Sequence, residues 1–139
     1  MNILDTLSIS ASGLTAQRTR LQTVASNMAN ARTTRTPEGG PYVRKMPVFE
    51  AEPVGFDNIL EQNLAKVRVK EIAESDDPAV QVYDPGHPDA NDEGYVLYPN
   101  VNVLEEMVDL MTTARTYEAN SRVVDVTREL ADSALSLGR

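Results

Sequence analysis

All eight prolines of this 139-residue chain lie between Pro37 and Pro99, and five of its seven glycines lie between Gly39 and Gly94. Proline removes a backbone donor and clashes with the preceding helical turn, so long helices are confined to the two ends. Charge divides at the same places. Residues 1–36 hold four basic and one acidic side chain, 37–99 hold five and thirteen, and 100–139 hold four and seven, giving +3, −8 and −3. Both signals predict a discontinuous helical domain made from 1–36 and 100–139 around a middle domain over 37–99.

In the first segment Leu4, Leu7, Ala11, Leu14, Arg18, Leu21, Ala25 and Met28 recur at steps of three and four. That spacing lines one stripe of a helix at the period of a coiled-coil seam. Helix is predicted from about residue 5 to about residue 31, with Asp5 or Thr6 at its start. The last segment repeats the pattern with Val103, Met107, Leu110, Ala114, Tyr117, Ser121, Val124, Arg128, Ala131 and Leu135. Asn102 and Glu105 resemble a capping box, Glu106 and Asp109 add acid where the helix dipole favours it, and Gly138 reads as a stop. Two helices of roughly 45 Å follow from the rise per residue. Each has one narrow apolar stripe, so each needs the other, and an antiparallel coiled-coil-like pair is expected.

The middle is too long for a structureless loop. Tyr42 to Phe49, Lys66 to Ile72, Val80 to Tyr83 and Tyr95 to Tyr98 are rich in β-branched and aromatic residues and read as strands. Residues 57–65 read as a short helical turn. The expected fold class is α+β: two long terminal helices and a small β-rich middle domain.

Several function classes fall away. A net charge of −8 opposes nucleic-acid binding, which needs clustered Lys and Arg to displace counterions. There is no cysteine, hence no disulfide framework or thiolate chemistry. Met1 to Ser10 lack a basic start and a small-residue cleavage site, so no cleavable signal is expected. The loop from Asp84 to Gly94 gathers Asp84, Asp89, Asp92 and Glu93 around the chain's only histidine, His87. Asp89, Asn91, Glu93 and Gly94 fall on positions 1, 3, 5 and 6 of a calcium loop, but position 12, which must supply a bidentate carboxylate, is Asn100. A solvated acidic turn is therefore expected in place of a metal site or an acidic calcium-binding module. With one histidine and no nucleophile elbow, phosphate loop or dinucleotide fingerprint, neither an enzyme, a cofactor nor a small-molecule substrate is expected.

Two features point to assembly. Outside its stripe the first helix carries Ser8, Ser10, Ser12, Thr15, Ala16, Thr19, Thr23, Ser26 and Ala29, small faces that suit close packing against further helices. Arg18, Ser121 and Arg128 interrupt the stripes, which is expected to loosen a lone hairpin. Gly13 reads as a point of close helix contact. A soluble helical-hairpin adaptor or export chaperone that binds one partner helix transiently is the alternative.

Ser10-Ala-Ser-Gly-Leu14, Ala16-Gln17 and Ala25-Ser-Asn-Met-Ala-Asn-Ala31 resemble the shared motif of the flagellar rod and hook axial proteins. Thr34-Arg-Thr-Pro-Glu-Gly-Gly-Pro-Tyr42, Tyr98-Pro-Asn-Val-Asn102, Glu105-Glu-Met107 and Arg115-Thr-Tyr-Glu-Ala-Asn120 narrow the resemblance to basal-body proximal rod proteins of the FlgC type. The resemblance implies a structural subunit of the drive-shaft rod, exported unfolded through the flagellar type III apparatus and polymerised in the periplasm. The implied partners are other rod subunits, copies of the chain and basal-body ring components. On this reading the assembly contacts fall on Leu7, Gly13, Leu14, Leu21, Asn27, Met28 and Asn30 of the first helix. In the second they fall on Met107, Leu110, Ala114, Tyr117, Asn120, Val124 and Leu135.

Overall fold

The computed structural model describes residues 3–53 and 64–137. Helix α1 (Ile3–Ala29) is followed by strands β1 (Lys45–Pro53), β2 (Ala65–Glu74), β3 (Val80–Tyr83) and β4 (Tyr95–Tyr98), and then by helix α2 (Val103–Leu137). This is the expected α+β architecture. Most of the helical turn expected over 57–65, and the stop at Gly138, lie outside the described residues, while Ala65 already belongs to β2.

Cap chemistry sets both helix boundaries inside the chain. Asn102 is the N-cap of α2: its Oδ1 accepts from the Leu104 N–H at 3.1 Å and its Nδ2 donates to Glu105 Oε1 at 2.9 Å, which satisfies a backbone donor left open by the helix start. At the end of α1 the Asn30 amide donates back to the Ser26 carbonyl at 2.9 Å. Thr33 Oγ1 in turn donates to Asn30 Oδ1 at 3.1 Å.

The helices pair antiparallel, with Asn27 beside Glu106, Arg20 beside Asp109 and Gly13 beside Asn120. The face they share is rotated from the stripe read in the sequence. In α2 the positions turned inward are Glu106, Asp109, Leu110, Thr113, Ala114, Asn120, Ser121, Val124, Thr127 and Ala131, half of the expected stripe among them, whereas Val103, Met107, Tyr117, Arg128 and Leu135 are exposed. In α1 the buried residues are Ala16, Thr23, Val24 and Asn27, while Leu4, Ala11, Arg18 and Ala25 face outward. Arg18 and Arg128 thus leave the seam uninterrupted. The physical reason is that the innermost positions are largely polar, and hydropathy spacing is blind to a polar interior.

At 35 residues α2 outruns the 27 of α1. Ten residues on from the Gly13–Asn120 contact, Ile3 comes level with about Leu130, so the last turns of α2 extend past the described start of α1. Residues 131–137 should therefore lose amide protection first in hydrogen exchange, well ahead of 106–120 beside α1. Equal protection along α2 in the isolated chain would contradict this.

The middle forms two separate antiparallel hairpins, β1–β2 and β3–β4, in place of one sheet. Hairpin β1–β2 lies against α1, and the Val67 N–H of β2 donates to Ser12 Oγ at 3.1 Å. Strand β1 carries Pro47 and Pro53, and the β1–β2 ladder is broken by a bulge at Lys70 of β2, opposite Val48 and Phe49; such devices oppose further strand pairing. In β3–β4 the fully buried side chain is Val96. Gly94 (φ 82°) closes this hairpin, where a Cβ would meet Tyr83 Cε2 at 2.9 Å.

Candidate assembly surface

A buried polar knot holds the two helices to the start of β1. Glu106, 1% exposed, accepts from Arg44 Nε on Oε1 at 2.7 Å and from Asn27 Nδ2 on Oε2 at 3.1 Å. The Arg44 Nη2 reaches the same Oε1 at 2.6 Å. Asn27 spends its whole amide here: Nδ2 also donates to the Lys45 carbonyl, and Oδ1 accepts from the Lys45 N–H and the Tyr42 hydroxyl, each at 2.9 Å. A side-chain amide is the group that can pair with both the N–H and the C=O of one residue, as a neighbouring strand does. Carboxylate at position 27 would instead oppose both the Lys45 carbonyl and Glu106.

The loop after α1 delivers Tyr42 and Arg44 to this knot. Gly39 (φ 93°) and Gly40 (φ 79°) occupy left-handed backbone that side chains disfavour. The turn closes through Thr36 N–H to the Gly40 carbonyl at 2.9 Å and Tyr42 N–H to the Thr33 carbonyl at 3.0 Å. Tyr42 was expected to begin a strand; the strand starts at Lys45 because Tyr42 is held back on Asn27.

The acidic loop between β3 and β4 is a structural tie. Asp89 accepts from Thr34 Oγ1 at 2.7 Å and lies 3.9 Å from Arg35, while Asn91 Oδ1 accepts from the Glu93 and Tyr95 N–H groups at 3.0 and 2.8 Å. Asp89 thus holds the hairpin to the loop after α1, while Asn91 closes the loop on itself.

Of the residues expected to carry assembly, Leu7, Gly13, Leu14, Leu21 and Met28 are half-buried on α1, Asn30 is half-buried in the turn just after it, and Leu110, Ala114, Asn120 and Val124 are half-buried on α2. Asn27 is buried in the knot. Met107, Tyr117 and Leu135 point to solvent. Gly13 is indeed a close contact: a Cβ there would stand 3.2 Å from Asn120 Nδ2. Arg44 and Glu106 were missed as a pair. Their signal was faint, since Glu106 sits where a first-turn acid is ordinary and Arg44 lies sixty-two residues away in sequence.

Apolar burial is thin. Among the described residues the buried hydrophobic side chains are Ala16, Val24 and Val96, whereas α2 alone exposes Leu104, Val108, Met111, Val126 and Leu130 to between 53% and 70%. These exposed groups lie on the side of α2 away from α1. A helical pair stitched internally by polar contacts turns its apolar groups outward, the kind of surface that marks an interaction site.

Such a build is that of an assembly subunit. Residues 7–35 match the family model described as flagella basal body rod protein, and residues 92–137 match that described as flagellar basal body rod FlgEFG protein C-terminal. The chain is 42% identical to the flagellar basal-body rod protein FlgC of Bacillus subtilis (strain 168), with all of both chains covered. It is 43% identical to that of Aquifex aeolicus over 94% of this chain and 92% of the relative. With FlgC of Salmonella typhimurium it shares 39% over the full length of both. The chain belongs to the FlgC family of flagellar basal-body rod proteins and is a structural subunit of the rod. Membership decides against the transient adaptor or chaperone.

Proposed function

We propose that the chain enters the proximal part of the rod through its terminal helices, with 1–36 and 100–139 acting as the assembly domain and 37–99 as a middle domain braced against them. The observation that carries this reading is the apolar surface of α2 that faces away from α1. Its neighbours are other rod subunits, copies of itself and ring components. Leu7, Leu14, Leu21 and Met28, together with Met107, Leu110, Tyr117 and Leu135, supply contacts at the margins of the helical pair. A subunit with so little apolar core tolerates travel as unfolded chain through the flagellar export apparatus and gains its stability on docking, because binding to the folded form pulls the folding equilibrium. The absence of cysteine avoids covalent trapping on the way.

The test is deletion and complementation in the source bacterium. Loss of motility is expected, with the restored chain found in purified basal bodies and its N-terminus uncut by mass spectrometry. A chain absent from basal bodies, or shortened by a signal peptidase, would overturn the proposal.

A further inference from the structure

The outward face of α2 beyond residue 118 carries two parallel ribbons. One is apolar, made by Ala119, Val123, Val126 and Leu130, and Val126 and Leu130 are 53% and 63% exposed. At about 100° per residue these four share one side of the helix, which flanks the side of Asn120 and Val124 that faces α1. The second ribbon is acidic and runs alongside, with Glu118, Asp125, Glu129 and Asp132 all exposed. Against these four acids the same stretch carries Arg122 and Arg128. Among the described residues none of the six charges makes an inter-element ion pair.

The outward face of α1 has the complementary chemistry. Leu4, Ala11, Thr15, Arg18, Gln22 and Ala25 are exposed along one stripe at helical spacing. Arg18 has no ion-pair partner among the described residues. Small side chains allow a second helix to approach closely, and the lone arginine suits an acidic counterpart. The charge balance agrees, since the N-terminal segment carries +3 and the C-terminal segment −3.

We infer that the ribbon Ala119 to Leu130 of α2 is the seat for an N-terminal helix built like α1, presented by the neighbouring rod subunit. The contact is heterologous: each subunit offers a small, basic stripe on α1 and receives one on the apolar and acidic ribbon of α2. Such contacts extend an assembly without closing it as a dimer. This rests on the rod reading above and adds which face meets which.

The experiment places the photo-crosslinker p-benzoylphenylalanine at Val126 in the full-length chain, irradiates purified basal bodies and identifies the joined peptide by mass spectrometry. A second variant carries it at Asp132 on the acidic edge, which keeps the test available where Val126 fails to incorporate. The expected adduct joins the C-terminal helix to an N-terminal helix peptide of a rod subunit, and the reciprocal probe at Gln22 captures a C-terminal helix peptide. Adducts from Val126 or Asp132 to another C-terminal helix, to a middle domain or to a ring protein overturn the inference. So does the absence of any adduct in rods that contain the variants, an outcome that leaves the rod function itself standing.

Discussion

Glu106→Ala should lower the stability of the isolated subunit by about 3 kcal/mol or more, the scale measured when one partner of a buried ion pair is removed. The carboxylate is 1% exposed and accepts from both Arg44 and Asn27, so alanine leaves a guanidinium and an amide hydrogen without their acceptor. It also disconnects α2 from the start of β1, because Arg44 and Asn27 are the links on that side. In urea the midpoint should fall by about 1.5 to 2 M at the slopes usual for a small domain. Asp109→Ala is the control. Its pair with Arg20 is equally short at 2.6 Å, but the two side chains are 34% and 38% exposed. An ion pair that open to water contributes about 0.5 kcal/mol. If the two substitutions cost the same, the knot is a surface feature and not the clamp described above.

The contrast between these two pairs shows what was legible in the sequence and what was not. Proline placement confined the helices to the chain ends, and β-branched runs located all four strands to within a few residues, because both signals act on the local backbone. The phase of the helical seam was misread. Leu4, Ala11, Met107 and Leu135 follow the three-four spacing yet face outward, while Glu106, Thr113 and Asn27 face inward. On the assembly proposed above, apolar side chains serve two surfaces, the internal pair and the contact with neighbours, and the observed spacing sums the two. A single chain's hydropathy cannot separate them. The polar knot escaped for a different reason. It joins residues from three elements, and its members, an asparagine, a glutamate and an arginine, each have an ordinary local role. The loop that holds Asp89 reads in the sequence as a solvated acidic turn; the bond to Thr34 makes Asp89 the tie between the β3–β4 hairpin and the loop after α1.

Burial, and not spacing, therefore picks the most damaging substitution in the helical pair. Val24 is 3% exposed, at the centre of the α1 face that meets the rest of the subunit. Val24→Asp should abolish incorporation into the rod. The lost burial costs about 1.5 to 3 kcal/mol, and a carboxylate without a designed partner adds several more for its desolvation. Together these approach the whole stability of a small domain, which is about 5 to 15 kcal/mol. Leu110→Asp, at a half-buried position, should act in the same direction but more weakly, since water can still reach the new carboxylate. Synthesis should be unaffected in both, and passage as unfolded chain does not depend on the folded seam. Asp92→Ala, in the exposed part of the acidic loop, should stay within about 0.5 kcal/mol of the parent. Swimming on soft agar, with blots of cell extract and of purified basal bodies for the subunit, reads all three. Cells carrying Val24→Asp that swim normally with the altered chain in their rods would show that the helical pair inside one subunit is not what the rod recognises. Loss of motility in Asp92→Ala alone would move the recognition surface to the middle of the chain.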